Sequence, residues 1–473
     1  MAIQTEILVD SSIINDIKYK NHLNFMKIND TFGIKEIDIS SKYSIPTYNN
    51  NDKYDINYYI SYRDTCIINI NLSLLYKAKI INVYVYSFTN LDLKKLEKLN
   101  LELAKINHSS LNCECISIRS NIDGLNLSNL LLAPNLKYLY ICNNYNHILL
   151  KYISKSLIYL YIEYSYNIDI LNYFNHSLIY LQISQKNDNL KYSLDKLPYS
   201  LEVIKLSYNI NIPINNLPIN LIYLEIGTCN NKIGPRSTFN QNIDNLPPNL
   251  QTLIIGHIYD PQEIGSYPSD FEQHIRNLPK SLLYLKLEGC YCFNDWKSLY
   301  LLPPNLKILY LSGLEDLHSR TDTRINIFNY LPQHLLIFYI DNMCINKSDN
   351  WAYLPQSLIY LHIISVGYGY YYKLDKLPIG LKFLKFSIIH GIIKEYNNLP
   401  NIKYLNISDY YYDCNFDNLP TSIEILYLIS GCRNILRYYE NINALYIYDF
   451  KYSNVKSFYN EIANLYGPHK MIN

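Results

Sequence analysis

Leu197-Pro198-Tyr199-Ser200-Leu201-Glu202-Val203-Ile204-Lys205-Leu206 returns almost position for position as Leu217-Pro218-Ile219-Asn220-Leu221-Ile222-Tyr223-Leu224-Glu225-Ile226. Both read Leu-Pro-x-x-Leu-x-x-Leu-x-Φ, where Φ is apolar. The string recurs at Leu278-Pro279 to Leu287, Leu354-Pro355 to Ile363, Leu377-Pro378 to Phe386 and Leu419-Pro420 to Leu428. We take the Leu that follows the Pro by three as the anchor of each unit. Anchors then fall at Leu136, Leu157, Leu178, Leu201, Leu221, Leu250, Leu282, Leu306, Leu335, Leu358, Leu381, Ile402 and Ile423, with a mean spacing of about 24 residues. That lies inside the roughly 20–29 residue period of leucine-rich repeats.

Apolar residues stand at the anchor and at three and five positions beyond it. The last two are one residue apart, the period of a β-strand. Another apolar residue precedes most anchors by seven, as at Leu194, Ile214, Ile243, Ile275, Leu374 and Phe416. With the Leu of Leu-Pro, each unit supplies about five inward rungs, which stacked neighbours bury and one unit alone cannot. The Pro fixes φ and donates no hydrogen bond, so it suits the bend before the strand. The expected fold is therefore a β-rich, right-handed solenoid: a leucine-rich-repeat horseshoe with a parallel sheet on its concave side, a thin convex side of turns and short helical caps. Eight residues past the anchor such repeats place Asn or Cys; Asn144, Asn209, Cys229 and Cys290 fit, as does Asn121 if Cys113 is an anchor, and many units do not.

The string Phe239-Asn240-Gln241-Asn242-Ile243-Asp244-Asn245-Leu246-Pro247-Pro248-Asn249-Leu250-Gln251-Thr252-Leu253 resembles the FNIP repeat, a leucine-rich-repeat variant of amoebae and large DNA viruses. Asn211-Ile212-Pro213-Ile214-Asn215-Asn216-Leu217-Pro218 is a second near match. The resemblance spans about residues 110–450, and most units keep only its Leu-Pro half. It implies a protein-binding solenoid and no substrate.

Three regions are expected. Residues 1–60 form an N-terminal capping region. Residues 61–450 hold the repeats, clearest over 132–430, and residues 451–473 form a C-terminal capping helix. The earlier trios Ile34/Ile37/Ile39, Ile67/Ile70/Leu72 and Ile80/Val83/Val85 share the three-and-five spacing. They read as degenerate repeats reaching back to about residue 60, and Leu93–Ile106 fits either a helix or a repeat. His22 to Phe32 resembles the later helix of an F-box, although the usual Ile-Pro-x-Glu opening is absent, so residues 1–35 read as a degenerate F-box or as a simple cap. At the far end Val455, Phe458, Ile462 and Leu465 share a helical face, Ser453 can cap it, and Gly467-Pro468 stops it.

The chain has 473 residues, 42 basic and 41 acidic, for a net charge of +1. Nucleic-acid binders carry a basic field to neutralise phosphate, and this chain has none. The N-terminus lacks the basic start and apolar stretch of a signal peptide, and no run approaches a membrane span. Ten cysteines without a secretion signal read as reduced thiols in the cytoplasm, of a host cell if the source is a virus. The eleven histidines show no His-Glu-x-x-His, and neither a Gly-x-x-x-x-Gly-Lys nor a Gly-x-Ser-x-Gly occurs. The pairs Cys113/Cys115 and Cys290/Cys292 have no partner pair at zinc-site spacing. The chain is therefore expected to be no enzyme, with no catalytic residue, cofactor or metal.

Two features point to a partner. Tyrosine numbers 51 against 14 Phe and 2 Trp, a bias that an A/T-rich genome accounts for in part. Tyrosines two and four beyond the anchor should line the concave sheet face as ladders: Tyr138, Tyr140, Tyr159, Tyr161, Tyr180, Tyr223, Tyr284, Tyr310, Tyr339, Tyr360, Tyr404 and Tyr427. Such rings supply contact area at protein interfaces, or simply suit a β surface. Lys205, Glu225, Lys286, His362 and Lys385 interrupt the stripe and could set specificity. The second feature is a set of long units whose extra residues carry mixed charge, including Arg236, Asp260, Asp270, His318, Arg320 and Arg324. Insertions on one edge of a solenoid can mark its binding face or be tolerated loops. The expected function is non-catalytic binding of an unidentified protein on the concave face and these loops. One alternative is an F-box-type substrate-recruiting subunit of a ubiquitin ligase, with a ligase adaptor as partner. The other is single-stranded nucleic-acid binding on stacked tyrosines, against which the absence of a basic groove weighs.

Overall fold

The computed structural model describes residues 57–62, 72–85, 93–120, 125–142, 153–163, 176–184, 194–207, 210–228, 237–256, 269–290, 296–312, 327–343, 351–366, 371–373, 376–389, 392–395, 399–409, 419–429 and 444–448. The expected F-box or cap at 1–35 and the C-terminal helix at 454–466 lie outside these residues.

The chain divides into two compact units within one strand, β9 (Thr252–Gly256), with the N-terminal unit running to Leu253 and the C-terminal unit beginning at Ile254. The N-terminal unit holds β1 (Asn57–Tyr62), β2 (Ile80–Val85), β3 (Cys115–Ser120), β4 (Tyr138–Cys142), β5 (Tyr159–Glu163), β6 (Tyr180–Ser184), β7 (Val203–Ser207) and β8 (Tyr223–Thr228). Each pairs in parallel with the next. The C-terminal unit holds β10 (Tyr284–Glu288), β11 (Ile308–Ser312), β12 (Ile337–Met343), β13 (Tyr360–Val366), β14 (Tyr371–Lys373), β15 (Phe383–Ile389), β16 (Ile392–Glu395), β17 (Tyr404–Asp409), β18 (Ile425–Ile429) and β19 (Ala444–Tyr448). Its main sheet runs β10-β11-β12-β13-β15-β17-β18-β19, all parallel, and β14 and β16 pair separately. Each unit is thus a parallel β-solenoid of leucine-rich-repeat type.

The register follows the repeat. Anchor-plus-two residues align across strands, as in Tyr138↔Tyr159↔Tyr180, and so do anchor-plus-four residues, as in Tyr310↔Tyr339↔His362. Every anchor is buried, from Leu136 to Ile423, together with the residues three beyond it, such as Leu139, Ile204, Leu285 and Leu384. Burying one such leucine contributes roughly 1.5–3 kcal/mol, and stacking repeats the gain in column after column. The Pro acts in the bend: the Leu201 N–H donates to the Pro198 carbonyl at 3.1 Å, and the Leu221, Leu282 and Leu358 N–H groups do the same to Pro218, Pro279 and Pro355. From there the next two N–H groups share one carbonyl of the preceding unit, as Glu202 and Val203 do with Ile179 at 2.9 and 3.1 Å.

A rung not read from the sequence precedes the anchor by one. Ser156, Ser177, Ser200, Ser357 and Ser422 donate their hydroxyls to the carbonyl of the preceding anchor, over 2.6–2.9 Å. These bonds satisfy carbonyls at the strand start that the parallel ladder leaves over.

The connectors are turns with short helical pieces, including 3-10 turns at Trp296–Leu301, Ile327–Tyr330 and Trp351–Tyr353. The stretch left open between helix and repeat is helical, α2 (Leu93–Ala104), after a single turn α1 (Leu72–Leu75). Leu72 begins that helical turn, and Ile67 and Ile70 of the expected early repeat lie outside the described residues. The first described strand is β1. In the FNIP-like string Phe239, Ile243, Leu246, Leu250 and Leu253 all point inward and are buried. In the C-terminal unit Phe328, Phe338, Trp351 and Phe386 form an aromatic chain within the core, at centroid distances of 5.1–6.5 Å.

Candidate functional site: the aromatic face of the sheet

Strand alternation sends the residues two and four beyond each anchor to the sheet face opposite the core. In the N-terminal unit the rings form the expected ladder. Tyr138 lies 6.2 Å from Tyr159, Tyr140 lies 6.1 Å from Tyr161, and Tyr159 stacks on Tyr180 at 4.2 Å and 18°. Tyr138, Tyr140, Tyr161 and Tyr180 are half-buried, whereas Tyr159 and Tyr223 are buried. Burial, then the neighbouring tyrosines, push the Tyr140 and Tyr159 hydroxyls well above the ordinary phenol range. For Tyr180 burial acts first and the charge on Glu225 second. These phenols act as neutral hydroxyls.

In the C-terminal unit the same positions are closed. Tyr284, Tyr310, Tyr339, Tyr360 and Tyr404 are all buried, with Tyr310 stacked on Tyr339 at 3.8 Å and 10°. Phe383 joins Tyr360 and Tyr404 at 6.2 Å to each. Tyr427 stands in register with Asn406 and Tyr446. These rings cover one another, so direction away from the core does not make them accessible.

The residues that interrupt the stripe are engaged within it. Lys205 pairs with Glu225 at 2.9 Å and lies 5.1 Å from the Tyr223 ring centre, while the Tyr223 hydroxyl donates to Glu225 at 2.6 Å. Lys286 pairs with Glu288 at 2.6 Å over the Tyr310 ring, at 4.6 Å, and the Tyr310 hydroxyl donates to Glu288 at 3.5 Å. The two clusters share one chemistry: ammonium over phenol, carboxylate accepting from both. His362 is fully buried, edge-on to Tyr339 at 4.1 Å.

Of Arg236, Asp260, Asp270, His318, Arg320 and Arg324, only Asp270 lies among the described residues, half-buried beside the buried Phe271. Arg236, Asp260, His318, Arg320 and Arg324 lie outside them, as do Asn121, Asn144, Asn209 and Cys229. Three of the long units leave their strands through glycines with positive φ, at Gly227, Gly256 and Gly289. Gly256 has φ +93°, and a Cβ there would collide with the Glu288 carbonyl. The thiol of Cys290 meets that turn as expected for a ladder cysteine, donating to the carbonyls of Glu288 at 3.6 Å and Ile255 at 3.9 Å.

Surface side chains absent from the sequence reading lie on the turns. Tyr199 and Ile379, both two before an anchor, are 61% and 86% exposed, and Tyr330 and Tyr353, five before, are exposed as well. For Tyr199 and Ile379 the signal was an apolar residue between Pro and anchor, where the bend turns it outward. Cys113 and Cys115 are buried, and burial pushes both thiols up to about 12. Among the described residues no group of His, Cys, Asp or Glu is arranged to hold a metal ion, and no helix is long and apolar enough to cross a membrane.

No family model and no curated protein matches the chain. Among solved structures it is similar to an internalin, InlF, of Listeria monocytogenes, with 14% identity, a TM-score of 0.42, and 73% of this chain and 86% of that one covered. It is also similar to CroV588, a circular leucine-rich-repeat protein, with 16% identity, a TM-score of 0.25, and 79% and 72% covered. The functional domain of InlJ from Listeria monocytogenes, which includes a cysteine ladder, shares 11% identity at a TM-score of 0.36, over 79% and 67% of the two chains.

Proposed function

We propose that this chain is a non-catalytic recognition scaffold that binds a protein partner on the sheet face of its N-terminal unit. The observation behind this reading is the half-buried set Tyr138, Tyr140, Tyr161 and Tyr180, held in register by β4, β5 and β6. Tyrosine offers a large ring and a hydroxyl on few rotatable bonds, which is why it is enriched where binding energy concentrates. A sheet already ordered before binding loses little further entropy, so modest contacts suffice. The charged long-unit loops join this reading as a second contact on one edge. The buried Phe239, Ile243 and Leu246 support placing the units among FNIP-type repeats. The free thiols of Cys113, Cys115 and Cys290 support a reducing, cytoplasmic setting.

The test is affinity purification with mass spectrometry, comparing the full chain, a chain lacking residues 1–40, Tyr140→Ala/Tyr161→Ala, and Ser117→Arg as a blocking change on the same half-exposed row. Partners kept by the truncation and lost by both face variants support the reading. Equal recovery by all four sinks it. The likeness of His22–Phe32 to an F-box helix favours one second reading, a ligase substrate recruiter. Its signature is ligase adaptor and cullin subunits that vanish on truncation alone.

A further inference from the structure

His362 occupies the anchor-plus-four position of β13, between Tyr339 of β12 and Lys385 of β15 in the parallel register. It is 0% exposed, and among the described residues neither Nδ1 nor Nε2 has a hydrogen-bond partner. A neutral imidazole offers one donor and one acceptor, so both are left unused here. The ring is held by its shape: edge-on to Tyr339 at 4.1 Å and 69°, and to Tyr360 of its own strand at 6.5 Å and 66°. Tyr339 in turn stacks on Tyr310, which lies under Lys286.

We propose that His362 makes the sheet face of the C-terminal unit acid-sensitive, keeping the Tyr310–Tyr339–His362 column closed at neutral pH and releasing it when the imidazole takes a proton. The groups around the ring leave no place for an imidazolium. From β12 it meets Tyr339, a neutral phenol, and from β15 the register partner is Lys385, a like charge. Within β13 its face neighbour is Tyr360. Asp341 of β12 is in register with Ile364, one rung farther along. The Lys286–Glu288 pair, two strands beyond Tyr339, is closed on itself at 2.6 Å. Burial first, and Lys385 second, oppose protonation in the closed state.

The sign follows from linkage. Above about pH 6.5 the imidazole is neutral whether the column is closed or open, and pH has no leverage. Below it, the open state takes a proton that the closed state refuses. Opening therefore becomes easier as pH falls, by up to about tenfold per pH unit. This inference is independent of where a partner binds.

The experiment is hydrogen exchange, converted to opening constants after correction for intrinsic pH dependence, on the full chain and on His362→Phe and His362→Gln. In the wild type the amides of β12, β13 and β15 should open about fivefold more readily at pH 5.5 than at 6.5, beyond any change in β4–β6. Both variants should lose that excess, and either one suffices if the other does not fold. An excess missing from the wild type, or retained in a folded variant, overturns the proposal. So does an imidazole NMR signal of His362 that titrates near pH 6.5 with the unit still folded.

Discussion

The two units use one positional code and reach different surfaces. In the N-terminal unit the anchor-plus-four row Ser117, Tyr140, Tyr161, Gln182 and Lys205 is half-exposed, closing only at Glu225. In the C-terminal unit the row Tyr310, Tyr339, His362 and Asn406 is buried, with the half-exposed Lys286 before Tyr310 and Lys385 between His362 and Asn406. The difference teaches that a repeat fixes which way a side chain points, while its neighbours decide whether anything else can reach it. A ring beside a ring at 3.8 Å is already half covered, and an ammonium over that ring covers more. The N-terminal face therefore keeps half-exposed rings, and the C-terminal face is packed as a second, aromatic core.

The hardest way to break this contrast is at the strand exit of the long units. Gly256→Ala places a Cβ against the Glu288 carbonyl at a φ that other residues rarely adopt. It should cost about 4 kcal/mol or more and unfold the C-terminal unit first, as read by chemical denaturation. Next in size is Glu288→Ala, which strands Lys286 over Tyr310 in a buried site. We expect a loss of about 3 kcal/mol, with the apolar pair Lys286→Met/Glu288→Leu recovering most of it. The half-exposed pair between Glu114 and Lys137, at 3.1 Å, is the matched surface control, and Glu114→Ala should cost less than about 1 kcal/mol. A Glu288 loss no larger than the Glu114 loss would mean that the C-terminal face is wetter than described. Smaller again, Ser177→Ala and Ser357→Ala each remove, one in each unit, a hydroxyl shared between two carbonyls. They should lower stability alike, by about 1 kcal/mol, since that rung is common to both units.

Thiol chemistry supplies a pH-dependent check on the N-terminal unit. Burial holds the Cys113 and Cys115 thiols near 12, so they stay protonated through the neutral range. Alkylation at pH 8 should be slow for both in the folded chain and fast in denaturant. Rapid modification without unfolding would place them at a surface.

The solenoid was legible in the sequence because its signal is repetition. Leu201, Leu221 and Leu282 mean little singly and become a column when each is followed by apolar residues three and five later. The burial of Tyr310, Tyr339 and Tyr404 was not legible, because it depends on what neighbouring strands place beside them. The same holds for Lys286: its spacing to Glu288 is visible, but that the ammonium lies over Tyr310 is a matter of register and rotamer. The serine rung was legible in principle. Ser156, Ser177, Ser200, Ser357 and Ser422 stand immediately before their anchors, but a single small polar residue carries no apolar periodicity to mark it. The helix at Leu93–Ala104 was ambiguous because its apolar spacing serves either element.

Hydroxyl-radical footprinting of the intact chain, read tyrosine by tyrosine by mass spectrometry, tests the contrast between the faces most directly. Rapid oxidation is expected of Tyr138, Tyr140, Tyr161 and Tyr180, and protection of Tyr310, Tyr339 and Tyr404, with Tyr159 and Tyr223 protected inside the accessible unit. Equal rates on the two faces, or faster oxidation of Tyr310 and Tyr339, would contradict that contrast.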